Sequence, residues 1–198
     1  MESAIRRLDP PGDKAWLPTI ARLCLEMSPE LYACFSDNRD ELLVQIERTF
    51  DTPGTDNELC WVSHIGAELV GFSTCCPSSE RSRREMRSSL VLSKLGSIKA
   101  SRMQDLRKYA LQFPESSKEG WYWVRMAIAP QFRGRGAGRE LFQHQVNMLK
   151  AFGKFDFLTR RANYPILKLS AEMGLKAADD PQKRPWVRVF FDPAEPVA

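Results

Sequence analysis

Two histidines, His64 and His144, are all that the 198 residues contain, which leaves little from which to build a zinc site, and no metal is expected. His144 falls on the side of a predicted helix away from its apolar stripe, as a solvated residue would. His64 lies in a predicted hairpin strand and can face either way. The five cysteines, Cys24, Cys34, Cys60, Cys75 and Cys76, show no Cys-x-x-Cys spacing and cannot all pair, so reduced thiols are expected. No stretch approaches the roughly 20 apolar residues of a membrane span. The segment Met1 to Arg7 lacks the apolar run of a signal peptide, so a cytoplasmic location is the expectation.

Two phosphate motifs are also missing. A dinucleotide fingerprint needs Gly-x-Gly-x-x-Gly, and the third glycine here falls at Gly138 where the spacing wants position 139, which is Arg139. A Walker loop needs Gly-Lys-Ser/Thr, which occurs nowhere in the chain. With 43% apolar residues, the length suits one domain over residues 1–198 around a single core.

What is present is concentrated between Met126 and Glu140. An apolar strand stops at Pro130, passes a turn rich in arginine and glycine, and enters a helix. Gly134, Gly136 and Gly138 allow positive φ and close approach of a ligand, which frees backbone N–H groups to point at phosphate oxygens. Arg133 and Arg135 add charge and forked donors. Apolar residues at Leu141, Phe142, Val146, Leu149 and Phe152 give the helix one buried stripe and aim its positive end at the turn. Such a turn is suited to a pyrophosphate.

The segment Gln131-Phe132-Arg133-Gly134-Arg135-Gly136 resembles the acetyl-CoA loop of the GNAT acyltransferase superfamily, Gln/Arg-x-x-Gly-x-Gly/Ala. Downstream, Phe155 to Thr159 is a predicted strand, Asn163 opens a helix, and Gly174-Leu175 closes it. This is similar to the family's second motif, Asn-x-x-Ala-x-x-x-Tyr-x-x-x-Gly-Phe, with Asn163, Gly174 and Leu175 in register. Asn163 also suits an N-cap and Gly174 a C-cap, so helix punctuation explains the same residues. Upstream, the periodicities predict a strand over Ala4 to Leu8 and helices over Asp13 to Met27 and Asn38 to Phe50. A hairpin is predicted from Leu59–Ile65 and Glu68–Cys75 across Gly66-Ala67, and a final strand over Trp186 to Phe191.

That order is the family's. The resemblance covers most of the chain in element order and about a third of it at the level of motifs. It implies an α/β (α+β) GNAT fold, a mixed and mostly antiparallel central sheet flanked by helices. It also implies acetyl-CoA as cosubstrate, bound by backbone groups of Met126, Ala127 and Ile128, by Gln131 through Gly138 including Ala137, and by Asn163. Relatives often pair as homodimers, and nothing in the sequence locates an interface.

The segment from Pro77 to Gly120 is too long for a turn between hairpin and cofactor strand. It is predicted helical from about Glu80, with Met86, Leu90, Leu92, Leu95, Ile98, Met103, Leu106, Tyr109 and Leu111 available to pack. Its charge is lopsided: Arg81, Arg83, Arg84, Arg87, Lys94, Lys99, Arg102, Arg107 and Lys108 face Glu80, Glu85 and Asp105. A helical insertion at 77–120 resembles the puromycin N-acetyltransferase type of GNAT enzyme, in which it shapes the acceptor pocket. The basic residues suit a solvated helix face, or attraction of an acidic acceptor or nucleic acid.

Acyl transfer requires that an ammonium lose its proton, that an oxyanion meet donors, and that a thiolate leave. Many relatives use the second-motif tyrosine to protonate the thiolate. Here that position is Ser170. Expulsion as thiolate is tolerable because a free thiol has a pKa of about 8.5. The strand Trp121 to Met126 also lacks the glutamate that many relatives use as base. Tyr122 is its nearest ionisable group, and strand alternation puts it on a face with Val124, Met126 and Ile128. A phenol with a reference pKa near 10 is better suited to positioning a water or the acceptor. Glu119 and Glu172 are further candidates.

The expectation is an acetyl-CoA-dependent N-acetyltransferase acting on a small-molecule amine by direct attack in a ternary complex, without a membrane or nucleic-acid partner. Two alternatives stand beside it. One is acetylation of a peptide or aminoacyl-RNA amine, which would show a steep salt dependence. The other is a non-catalytic acyl-CoA sensor, which would bind CoA without turnover.

Overall fold

The computed structural model describes residues 3–93, 100–111, 113, 117–182 and 184–194, with the side chains of residues 100–103 outside that set. Seven strands form one sheet: β1 (Ala4–Arg7), β2 (Cys60–Ile65), β3 (Glu68–Pro77), β4 (Trp121–Ile128), β5 (Phe155–Arg160), β6 (Lys176–Asp179) and β7 (Trp186–Phe191). Their order across the sheet is β1-β2-β3-β4-β5-β7-β6. Every pairing is antiparallel except β4 with β5. That exception follows from the connection, because helix α6 (Ala137–Phe152) returns the chain to start β5 in the same direction as β4.

The helical elements before the sheet's centre differ from the predicted ones at their ends. The predicted helix from Asp13 begins as a 3-10 turn, Lys14–Trp16, and becomes α1 (Leu17–Met27), with Pro18 in its first turn. Ser28, non-helical at φ −142° and ψ 56°, breaks it before Pro29, consistent with the bias of a residue preceding proline away from the helical region. A short helix α2 (Pro29–Ala33), absent from the sequence reading, follows. Helix α3 (Arg39–Asp51) starts where expected, because Asn38 Oδ1 accepts from the N–H groups of Asp40 and Glu41. Strand β6 was also missed: its pattern is nearly all exposed, with no apolar alternation to reveal it.

The expected insertion contains α4 (Arg81–Leu92) and α5 (Ala100–Ala110). Leu95, Ile98, Lys94 and Lys99 lie outside the described residues, as do the side chains of Arg102 and Met103. Much of its basic charge is locally balanced. Arg84 bridges Glu80 and Glu58, Arg81 bonds Glu85, Arg83 meets Glu80, and Lys108 meets Asp105.

The sheet separates two apolar clusters. On one side Ile20, Leu23, Ile46 and Phe50 of α1 and α3 pack on Val62, Val70, Phe72 and Ala127. On the other, Phe142, Val146 and Leu149 of α6 pack on Trp123, Phe155, Phe157 and Val189. Two irregularities in the sheet position the site. Between β3 and β4, Thr74 faces Arg125 while the next residue, Cys75, faces Trp123, so Val124 is an extra, bulged residue. Between β4 and β5, ladder pairing is confined to Trp121–Phe155 and Tyr122–Asp156.

Candidate active site

The glycine-rich turn has the conformation its composition predicts. Gly134 and Gly136 sit at φ 74° and 88°, and a Cβ built on either meets nothing within 4 Å. Left-handed backbone and open space coincide at the start of α6, where no side chain caps the helix and Gly136 occupies the N-cap. Arg135 is exposed. Arg133 is partly committed, its Nε donating to the Ile128 carbonyl at 2.9 Å, so it braces the strand end as well as carrying charge. Gln131 reaches Glu68 at 3.3 Å. The Phe132 side chain is buried in the α1 side of the core, which leaves only its backbone for a ligand.

Beyond Tyr122 and Asp156 the two central strands no longer pair, which leaves the facing edges of β4 and β5 outside any ladder between them. The bulge at Val124 corrects the expected alternation. Trp123 and Met126 belong to the α6 side, whereas Tyr122 and Arg125 face the opposite side, with Tyr32 and Asp56. On that opposite side is a cavity of about 730 Å³ bounded by α1, α2, α4, α5, β4 and the end of β5. It lies within the usual range for small-molecule sites.

A buried polar network supports this cavity. Arg125 donates from Nη2 to Asp56 Oδ2 and from Nη1 to the Tyr32 hydroxyl, both at 2.9 Å. Ser88 of α4 donates to the other Asp56 oxygen and accepts the Asp56 N–H. Burial works against the Arg125 charge, but Tyr32, Asp56 and Cys24 outweigh it and hold the guanidinium protonated. The network therefore ties the insertion to the cofactor strand at its bulge.

A profile of the Acetyltransferase (GNAT) family matches residues 24–175. The chain belongs to the GNAT acetyltransferase family. Solved structures agree on the fold. An N-acetyltransferase from Staphylococcus aureus Mu50 has a TM-score of 0.71 at 16% identity, over 95% of this chain and 100% of that one. A second acetyltransferase has a TM-score of 0.66 at 16% identity, over 96% and 99%. The histone acetyltransferase HPA2 and related acetyltransferase from Corynebacterium glutamicum ATCC 13032 reaches 0.59 at 15% identity over 100% of both chains. No curated protein matches the sequence.

As a GNAT acetyltransferase, the chain is an acyltransferase, and the family uses acetyl-CoA as cosubstrate. The turn fits that molecule: two left-handed glycines, open space beside them, a helix N-terminus and the exposed Arg135 suit a pyrophosphate. Among the described residues no group of His, Cys, Asp and Glu could hold a metal, and no helix is long and apolar enough to cross a membrane.

The predicted catalytic residues occupy different environments. Tyr122 lines the cavity, buried, with the Arg81 guanidinium 3.7 Å from its ring centroid. Burial pushes its phenol up to about 12 despite Arg81, so it stays protonated and is not suited to act as a base at neutral pH. Ser170 is buried on α7 (Tyr164–Glu172), and its hydroxyl donates to the Ile166 carbonyl at 2.7 Å. Its proton is committed and it is not among the residues lining the cavity, so the geometry does not support it as the thiolate's acid. Asn163 does line the cavity, but its Nδ2 donates to Thr159 Oγ1 and its side chain does not cap α7. Glu172 is held by Arg139, Glu119 meets Lys154, and neither lines the cavity.

Sequence reasoning missed Asp56, Arg125, Tyr32, Ser88 and Glu85. They come from four separate segments, α2, the loop before β2, α4 and β4, so no single local spacing joins them all. The one available signal was the Thr55-Asp56-Asn57 run: three polar residues that the fold buries.

Cys75 and Cys76 are buried, and burial pushes each thiol up to about 12. Cys24 and Cys60 are raised by the same cause. An unfolded thiol releases its proton near pH 8.5, so above that pH the folded chain binds more protons than the unfolded one. The sign is therefore negative. Stability is complete below about pH 8.5 and falls with rising pH, by up to about 1.4 kcal/mol per pH unit for each thiol. Urea midpoints should drop between about pH 8.5 and 11 and move much less between pH 6 and 8. A midpoint independent of pH across the alkaline range would contradict this.

Proposed function

We propose that the chain transfers the acetyl group of acetyl-CoA to a primary amine of a small molecule held in the cavity between the α4–α5 insertion and β4. The observation that carries this is the cavity itself, a half-open space lined by aromatic and aliphatic side chains together with polar and charged ones, and reaching the bulged segment Val124–Met126. Acetyl-CoA supplies an activated thioester carbonyl. Beyond Tyr122, β4 stays paired with β3 but not with β5, so the N–H groups on its β5-facing side are the donors available to that carbonyl oxygen.

The neutral amine nitrogen forms the new N–C bond and gives up its extra proton to solvent, the C–S bond breaks, and CoA departs as thiolate, which is protonated from solvent. The attacking amine must first lose a proton. Of the two carboxylates in the cavity wall, Asp56 has both oxygens engaged by Ser88 and Arg125. Glu85 accepts from Arg81 at 2.7 Å and keeps substantial exposure, with 44% of its side chain accessible. Glu85, directly or through a water, takes that proton.

Thiol release from acetyl-CoA should accelerate with an amine acceptor, and Glu85→Gln should lower kcat by about 10² to 10⁴-fold with little change in the KM for acetyl-CoA. Tight CoA binding with no acceleration by any amine would instead favour a sensor. An unchanged kcat in the variant would remove Glu85 from the mechanism.

A further inference from the structure

One wall of the cavity is a run of rings ending in a cation. Tyr109 and Phe113 stand 5.0 Å apart, and Phe113 and Trp186 4.6 Å apart. The Arg160 guanidinium lies 5.7 Å from the Trp186 ring centroid. All four side chains line the cavity. They come from α5, the segment after it, β7 and β5, and one residue fastens them together. Arg184, gripping Asp180 with two guanidinium nitrogens, donates to the carbonyls of Leu111 and Phe113 at 3.0 Å each, which pins the ring of Phe113 beside Trp186.

The charges in the lining are nearly matched. Arg125 is paired with Asp56 and Arg81 with Glu85. Arg160, exposed, is the remaining cation of the lining, and among the described residues no carboxylate lies within ion-pair distance of it. Among the described residues, the lining therefore presents one positive charge without a carboxylate partner. Glu30 of α2 is felt by Tyr109, but it is exposed and outside the lining.

The position of that charge is informative. Tyr122 pairs with Asp156, and Arg160 lies four residues further along β5, as Met126 lies four further along β4. Arg160 and the Val124–Met126 segment, where the proposed amine arrives, line the same cavity. An anion on Arg160 and an amine at β4 belong close together on one molecule, with an apolar body directed at the rings.

We propose that the acceptor is a hydrophobic α-amino acid, with its carboxylate on Arg160 and its side chain against Trp186, Phe113 and Tyr109. The inference rests on the acetyl-transfer reading above. A guanidinium over an aromatic face recognises a carboxylate through forked donors while the ring excludes water from one side. An acceptor without the carboxylate leaves that charge unanswered and gains only the apolar contact.

The test compares matched pairs in thiol release from acetyl-CoA: phenylalanine against 2-phenylethylamine, tyrosine against tyramine, and tryptophan against tryptamine. Each amino acid should exceed its decarboxylated partner in kcat/KM by at least about tenfold, the effect of one charge-assisted pair. Arg160→Gln should abolish that preference by lowering kcat/KM for the amino acids alone, with the KM for acetyl-CoA and the melting temperature unchanged. Equal or better turnover of the decarboxylated amines by the wild-type chain overturns the inference while acetyl transfer stands. A rise in the KM for acetyl-CoA in the Arg160→Gln variant also overturns it, because Arg160 then serves the cosubstrate. Turnover of no amine at all removes both readings.

Discussion

Gly136→Val should raise the dissociation constant for CoA by at least about 100-fold, roughly 2.7 kcal/mol, while the protein remains folded. Gly136 holds φ 88° at the N-cap of α6, a conformation that a β-branched residue adopts only with strain. That strain should cost the free protein on the order of 1–3 kcal/mol, visible as a lower urea midpoint. No further clash is expected, because a Cβ at this position meets no protein atom within 4 Å. The large effect on binding arises because the same open space is where phosphate oxygens would approach the backbone. Gly134→Val, at φ 74° with the same open surroundings, should behave alike. Titration calorimetry with CoA, read beside chemical denaturation, separates the two losses. Affinity within about threefold of wild type would show that the pyrophosphate is bound elsewhere.

Removing one member of the Arg125–Asp56 pair should be the most destabilising exchange of a polar residue. Both side chains are largely buried, 15% and 7% accessible, and Asp56→Ala leaves the guanidinium with only Tyr32 and Cys24 for company. A loss of about 3–5 kcal/mol is expected in urea unfolding, because a buried charge would be left without compensation. Exchanging both, Arg125→Met with Asp56→Ala, should cost less than the two single exchanges combined, since no orphaned charge remains. The difference should appear as a coupling of about 0.5–3 kcal/mol. Additive losses would mean that the two groups do not support one another. Activity should fall further than stability alone explains, because the network joins Ser88 of the insertion to the bulged strand.

How much was legible in the chain depended on whether the signal was local. Gly134 and Gly136 announce positive φ by their identity, and the spacing of Leu141, Phe142, Val146 and Leu149 reports a helix with one buried face. The hairpin of β2 and β3 and the N-cap at Asn38 are also determined by neighbours in sequence. So the conformation of the glycine-rich turn, the order of nearly all elements and the family could be read directly.

Strand β6 could not, because Lys-Ala-Ala-Asp has no alternation and is a strand only by pairing with β7. Nor could the face on which Tyr122 and Arg125 lie. Alternation is a rule for regular ladders, and the extra residue at Val124 exists only because β3 sets a register that β4 must accommodate. Ser170 shows the same limit from the other side: its motif position suggests chemistry, yet the packed helix turns its hydroxyl onto Ile166.

The acceptor side depends almost wholly on tertiary structure. Asp56, Arg125, Glu85, Arg160, Phe113 and Trp186 come from distant parts of the chain, and side-chain chemistry at such separations is joined only when the sheet and the insertion close around one space. The sequence by itself determined the conformation of the turn proposed to hold a pyrophosphate, because backbone conformation is a local property. The tertiary structure alone decided what shapes the acceptor, because burial, charge pairing and cavity walls are properties of contacts between distant segments.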